Sequence, residues 1–142
     1  MTNDTVQQIE AANEELYSAF EAGDLDRMGR LWVDGSVAEL ARCVHPGADA
    51  VSGRENVLRS WALVMANTEY LQFIVTDVRT SLADGMAVVT CTENILGPGA
   101  QEDSFGAGVA VATNGFVKHE GQWRMWLHHA SPVLRHHDSG VT

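Results

Sequence analysis

Residues 70–95 read YLQFIVTDVRTSLADGMAVVTCTENI, and this stretch carries the strongest fold signal of the chain. β-Branched and aromatic residues that favour strands fill its first half, and Asp84-Gly85 is a dipeptide typical of a tight hairpin turn. Two further strand-like runs follow, at 109–118 and 123–133, joined by the turn Glu120-Gly121. Four successive strands with hairpin links predict an antiparallel meander.

The N-terminal half of the chain has the residue spacing of three helices. Gly23 can supply the left-handed residue that ends many helices, and Asp24 can cap a second helix directly after it. Ser52 and Glu55 have capping-box spacing and predict the start of a third helix. Because helices come first and the sheet second in one short chain, the helices must cover one sheet face. The sequence therefore predicts an α+β fold, with three N-terminal helices packed on a curved antiparallel sheet.

The segment between the second and third helices is the least regular part of the chain. Residues 37–44 have the composition of a strand, which would end at His45-Pro46-Gly47 because proline lacks a backbone N–H and glycine permits a turn. A sheet that curls around a helical layer has a concave face, where ligand pockets tend to form. We therefore expect one small-molecule pocket, with His45 at its rim.

Composition limits the class of protein. A chain of 142 residues that is 45% hydrophobic and 20% charged suits one globular domain, which we expect to span residues 1–142. The formal net charge of -10 disfavours binding to nucleic acid or to anionic lipid. No apolar run approaches the ~20 residues that cross a membrane, and the polar N-terminus does not resemble a signal peptide. We expect a cytoplasmic protein without membrane association, whose two cysteines, Cys43 and Cys91, are reduced.

Five segments occur in a characteristic order: FEAGDLD at 20–26, VHPG at 44–47, Gly53-Arg54, Trp61, and WRMWLHHASP at 123–132. Their order and spacing resemble those of a SnoaL-like protein of the nuclear transport factor 2-like superfamily over almost the whole chain. The resemblance implies a cone-shaped α+β fold with a pocket between sheet and helices, usually in a homodimer packed through the outer sheet face. It implies no single reaction, since similar proteins include ketosteroid isomerases, polyketide cyclases, epoxide hydrolases, dehydratases and non-catalytic subunits.

The resemblance also bears on one residue of the last predicted strand. His129-Ala130-Ser131 matches the His-x-Ser ending of the family, so His129 is the site residue that the resemblance carries over. Similar proteins often have a second histidine two residues earlier, where this chain has Leu127. The aspartate base of the isomerases and cyclases, and the acid-arginine-acid set of the epoxide hydrolases, have no counterpart that the sequence identifies.

Strand alternation places His129 on a predicted pocket wall, on the same strand face as Leu127 and Ser131, with His128 on the opposite face. His129 could act as an acid or base near neutral pH, or could be a core histidine satisfied by its neighbours. On the preceding hairpin Glu93 shares a face with Cys91; it is a half-buried acid if that face points inward and is solvated if it does not. A Glu93–His129 pair is the sharpest catalytic hypothesis.

Other residues are candidates for ligand binding. Cys91 is a possible nucleophile but more simply a buried thiol, and His45 is a possible ligand contact or a turn residue bonded to backbone. Trp32 and Trp61 could line an apolar cavity or belong to the core. The predicted ligand-binding set is Trp32, His45, Trp61, Cys91, Leu127 and Ser131.

No metal or cofactor motif is present in the sequence. The six histidines do not have metal-ligand spacing: His128-His129 alternate across a strand and His136-His137 lie in a polar tail. The glycine-rich run at 96–108 lacks the ending of a phosphate-binding loop and suits a flap or an interface. We therefore predict no metal and no cofactor.

Two functions remain open from the sequence. The first is a small-molecule-binding protein that holds a largely apolar ligand. The alternative is an isomerase, cyclase or dehydratase that transfers protons on a small hydrophobic substrate, with Glu93 and His129 as acid and base.

Overall fold

The computed structural model describes residues 2–97 and 108–133, and it has helices packed on one face of a six-stranded sheet. The α-helices are α1 (Thr2–Ala22), α2 (Leu25–Leu31) and α3 (Arg54–Ala66), with a 3-10 helix at Gly35–Leu40. The predicted α+β class with three α-helices before the long strands is confirmed.

Two of the helix ends follow the predicted local chemistry and one does not. Gly23 ends α1 with a φ of 65°, and the side chain of Asp24 accepts a hydrogen bond from the backbone N–H of Arg27 at 3.1 Å, which caps α2. The predicted capping box at Ser52 is wrong. Ser52 lies in a strand, and Gly53, with a φ of 87° and no side chain to accept a bond, precedes α3 instead.

The sheet has the strand order β2-β1-β6-β5-β4-β3. Its strands are β1 (Arg42–Val44), β2 (Val51–Ser52), β3 (Gln72–Ala83), β4 (Met86–Leu96), β5 (Gly108–His119) and β6 (Gln122–Pro132). Strands β3 to β6 form the predicted antiparallel meander.

The short strands correct the prediction in two ways. β1 runs parallel to β6, so the sheet is mixed rather than antiparallel throughout. Most of the predicted strand at 37–44 is the 3-10 helix, and only Arg42–Val44 pairs with the sheet. This pairing depends on tertiary contact, because the outer edge of β6 has free backbone groups and Arg42–Val44 is the segment that pairs with them.

The hydrophobic core lies between α1, α2 and the inner face of the sheet. Its largest fully buried members include Ile9, Leu16, Trp32, Phe116 and Met125. None of the helices within residues 2–97 and 108–133 has the length and apolar character needed to cross a bilayer. The predicted flap at 96–108 falls almost entirely outside the described residues, and so does His136-His137.

Candidate functional site

A cavity of about 630 Å³ opens between α1, α3 and the inner face of the sheet. This volume is within the range of small-molecule sites. Its walls are mainly aromatic and aliphatic, and they include Phe20, Trp61, Phe73 and Ile95. Four polar side chains that carry a titratable group also reach it from the interior: Tyr17, His45, Glu93 and His128.

A smaller groove of about 350 Å³ lies between α1 and β3. Glutamates line it, but Glu10 already accepts a hydrogen bond from the Thr80 hydroxyl at 2.8 Å, and Glu21 accepts one from the backbone N–H of Phe73 at 2.6 Å. These carboxylates hold α1 against β3. The larger cavity is therefore the candidate site.

Glu93 lies on the inner face of β4, where Ala87, Val89 and Cys91 are also buried. Glu93 is 3% exposed, and its Oε2 accepts a hydrogen bond from the Tyr17 hydroxyl at 2.7 Å. Burial raises the pKa of Glu93, and the hydrogen bond from Tyr17 partly opposes that rise. The cavity therefore contains an acid whose proton is held more tightly than that of a surface glutamate.

The histidine that β6 directs into the cavity is His128, and the predicted orientation of His129 is wrong. The pairing of β5 with β6 shifts by one residue, because Met125 opposes Phe116 while Leu127 opposes Gly115. Trp126 is the extra residue of this β-bulge, and such an insertion reverses the two-residue alternation beyond it. His129 is exposed on the outer face and does not line the cavity.

The same register shift moves the other predicted residues of β6. Leu127 is half-buried and Ser131 is exposed, and both lie outside the cavity lining. At the bulge Trp126 and Leu127 pack closely against Gly115, where an added Cβ would lie 2.9 Å from Nε1 of Trp126 and 3.1 Å from Cβ of Leu127. A glycine inside a strand is the one sequence signal that indicates such a bulge.

His128 is 3% exposed and has a buried amide beside it. Its Nδ1 lies 2.6 Å from Oδ1 of Asn114, and Nδ2 of Asn114 donates to Oδ1 of Asn13 at 2.8 Å and to the Tyr17 hydroxyl at 3.3 Å. Burial lowers the pKa of His128 to about 3, and the nearby His45 and His129 contribute to this fall. The imidazole is therefore neutral at physiological pH.

Sequence reasoning missed Asn13 and Asn114. An asparagine in an amphipathic helix or in a strand is usually a surface residue, whereas these two are almost fully buried. Together with Tyr17, Glu93 and His128 they form one chain of hydrogen bonds, which we call the polar chain. It links the acid on β4 to the imidazole on β6 through α1 and β5.

His45 and Trp61 form one wall of the cavity. The two rings meet edge to face with centroids 4.6 Å apart. Nε2 of His45 lies 3.0 Å from Oγ of Ser60 and 3.5 Å from Sγ of Cys43, and burial lowers the pKa of His45. The indole N–H of Trp61 has no hydrogen-bond partner among the described residues.

Two other predicted ligand contacts lie behind the cavity surface. Cys91 is buried, its Sγ is 3.5 Å from the Tyr17 hydroxyl, and burial raises its pKa, so the thiol keeps its proton and is a poor nucleophile. Trp32 is fully buried in the core beside Met125. Neither residue is part of the cavity lining. Within residues 2–97 and 108–133 no three potential ligands cluster in a way that could hold a metal ion.

Comparison with known proteins identifies the family of this chain. Residues 9–135 match the family model of the SnoaL-like domain. A crystal structure from Streptomyces avermitilis, provisionally described as a dehydratase of the NTF2-like family, is 44% identical and superposes with a TM-score of 0.85, covering 95% of this chain and 100% of that one.

More distant relatives differ in what they are described to do. A structure from Thiobacillus denitrificans, provisionally described as a calcium/calmodulin-dependent protein kinase type II association domain, is 28% identical with a TM-score of 0.75, covering 88% of this chain and 94% of that one. The F-box protein SKIP8 of Arabidopsis thaliana is 30% identical over 92% of this chain, which spans about half (52%) of its length.

Proposed function

The chain belongs to the SnoaL-like domain family, and from that premise we propose that its cavity binds one largely apolar small molecule. The observation that carries this proposal is the cavity of about 630 Å³, whose aromatic walls surround a small number of polar groups. Sites of this kind hold a ligand by apolar contact and orient it by a few hydrogen bonds. Because the cavity is walled by Phe20, Trp61 and Phe73, the ligand should contain at least one ring or an equivalent apolar body.

The proposal includes a homodimer in the cytoplasm, formed through the outer face of the sheet. Ile74, Met86, Val88 and Val111 all lie on that face and are between 39% and 49% exposed. Apolar side chains that share one sheet face are typical of protein interfaces. A second copy of the chain could cover them without blocking the cavity, which opens on the opposite side of the sheet.

Acid-base catalysis of the dehydratase or isomerase type is the second candidate function. The observation that favours it is that Glu93, with a raised pKa, and the neutral imidazole of His128 border the same cavity. A protonated carboxyl can donate to a departing or enolising oxygen while an imidazole accepts a proton. The histidine in the pair differs from the one predicted, because the bulge at Trp126 replaces His129 with His128.

Ligand capture tests the binding proposal. Protein purified from its own host is measured by native mass spectrometry and then denatured to release and identify any bound molecule. A variant with Ala110→Phe should lose that molecule, because Ala110 is a buried residue of the cavity lining and a phenyl ring would fill the space. Leu63→Phe, at an exposed position of α3, should retain it. Equal occupancy in both variants would contradict the proposed location.

The captured molecule also separates the two candidate functions. Glu93→Gln preserves the shape of the side chain and its ability to accept a bond from Tyr17, but it removes the titratable proton. If the protein converts the molecule, this variant should bind it and lose turnover by about 100-fold or more, as expected when a general acid is removed. Binding without turnover in the wild-type protein would support the non-catalytic role.

A further inference from the structure

Each of the two histidines of the cavity has one ring nitrogen hydrogen-bonded to another side chain. Whether that side chain donates or accepts determines the tautomer of the imidazole. For His128 the partner is Oδ1 of Asn114, 2.6 Å from Nδ1. The orientation of that amide follows from its other contacts. Nδ2 of Asn114 faces Oδ1 of Asn13 and the oxygen of Tyr17, whose own proton goes to Glu93.

All the hydrogen bonds of the polar chain therefore point the same way, from His128 towards Glu93. The Tyr17 hydroxyl donates to Oε2 of Glu93, so the Tyr17 oxygen is free to accept from the Asn114 amide. The carbonyl of Asn114 is left facing His128, so the proton of the neutral imidazole is on Nδ1. Nε2 of His128 keeps its lone pair and has no other partner among the described residues.

His45 is fixed in the opposite tautomer. The hydroxyl of Ser60 donates to the backbone carbonyl of Val57 at 2.7 Å, which uses its only proton. Oγ of Ser60 can therefore only accept from Nε2 of His45, 3.0 Å away, so the proton of this imidazole is on Nε2. Nδ1 of His45 is then the nitrogen with a free lone pair.

No lysine or arginine lines the cavity within residues 2–97 and 108–133. Glu69 and Glu93 both line it, so an anionic ligand would bury its charge beside two carboxyl groups and without a counter-ion among the described residues. At the end of the cavity lined by His45 and His128, the lone pairs on Nδ1 of His45 and Nε2 of His128 are acceptors that the described residues leave free.

Building on the proposed function, we infer that the cavity selects a neutral apolar molecule with a hydrogen-bond donor, such as an alcohol or a phenol, whose hydroxyl donates to Nε2 of His128 or to Nδ1 of His45. A ligand without a donor would desolvate these nitrogens and leave them unpaired. The hydroxyl of the preferred ligand lies at the end of the cavity where the two imidazoles meet, with ring centroids 6.4 Å apart.

Nitrogen NMR tests the tautomers without any ligand. In a long-range ¹H–¹⁵N correlation spectrum of the wild-type protein at pH 7, His128 should show the Nδ1–H pattern and His45 the Nε2–H pattern. Exposed His129, adjacent in sequence, provides an internal reference, and His45→Gln and His128→Gln variants assign the signals. An Nε2–H pattern for His128, or an Nδ1–H pattern for His45, overturns the inference even if the cavity binds ligands.

Matched probes test the selectivity by titration calorimetry. 2-Naphthol should bind about 10-fold more tightly than 2-methoxynaphthalene, which keeps the oxygen but lacks the donor, and 2-naphthoate should bind more weakly than 2-naphthol. His128→Phe should reduce the ratio of naphthol to ether affinity at least about threefold, while His129→Phe should leave it unchanged. Equal affinity for naphthol and ether, or a preference for naphthoate, overturns the inference. Failure of all three probes to bind would contradict the proposed function and, with it, the inference.

Discussion

Replacing Asn114 with alanine should lower the free energy of unfolding by about 4 kcal/mol. The side chain is 0% exposed and makes three hydrogen bonds, to His128, Asn13 and Tyr17. Its removal leaves Nδ1–H of His128 and Oδ1 of Asn13 buried without their partner, whereas Tyr17 keeps its bond to Glu93. A buried group left unpaired costs about 1–3 kcal/mol, so two such groups at about 2 kcal/mol each give the expected loss.

Urea denaturation measures this loss if the slope with denaturant is the same for variant and wild type. Asn56→Ala is the matched control, because Asn56 is exposed on α3, away from the outer sheet face, and its amide donates to the carbonyl of Ser52 at 3.1 Å and accepts from Arg59 at 3.3 Å. There the freed groups can bond to water, so about 1 kcal/mol is expected. Similar losses in the two variants would refute the reasoning that burial makes the polar chain costly to break.

Three further outcomes follow from the structure. Because burial raises the pKa of Glu93, the folded state binds the carboxyl proton more tightly than the unfolded state does, and the stability that this proton contributes is lost as pH rises through the folded-state pKa. Glu93→Gln should therefore unfold at a higher urea concentration than wild type at pH 7 but not at pH 4, and a difference between the two midpoints that does not change with pH would contradict this prediction. Gly115→Ala should cost about 1–3 kcal/mol in the same assay because its Cβ would lie 2.9 Å from an indole nitrogen, whereas Gly108→Ala, with no described residue within 4 Å of the added Cβ, should be nearly neutral. Val111→Glu on the outer sheet face should give a monomer in analytical ultracentrifugation while Leu63→Glu on α3 should remain dimeric, and an intact Val111→Glu dimer would exclude this face as the interface.

The meander, the end of α1 and the start of α2 could be predicted because they depend on neighbouring residues. Asp84-Gly85 forms the turn between β3 and β4, and Asp24 caps α2, through bonds that span a few positions. The parallel pairing of β1 with β6 depends on segments far apart in sequence, so strand composition alone does not indicate it. Ser52 shows the same limit: it has the spacing of a capping residue, but its pairing with Arg42 makes it part of a strand.

The candidate site was predictable on β4 and not on β6. Strict alternation holds from Ala87 to Glu93, so the inward acid could be identified from the pattern. On β6 the alternation is correct as far as Met125 and reversed afterwards, which exchanges His128 and His129. The residue that permits the exchange, Gly115, is on the neighbouring strand, and its effect becomes visible only when the two strands are paired.

The bulge and the polar chain together suggest a role for the polar residues that are buried in this part of the protein. Apolar side chains of similar volume at Asn13, Asn114 and His128 would remove three buried polar residues, a kind of replacement that is often neutral or stabilising. The polar side chains instead fix the tautomer of the imidazole and the orientation of the amides. The bulge brings His128 to the cavity surface with its Nδ1 hydrogen-bonded to Asn114. The arrangement leaves the lone pair on Nε2 of His128 in a fixed direction at the edge of an apolar cavity. A ligand with a hydrogen-bond donor is the kind of molecule that such a lone pair would bind.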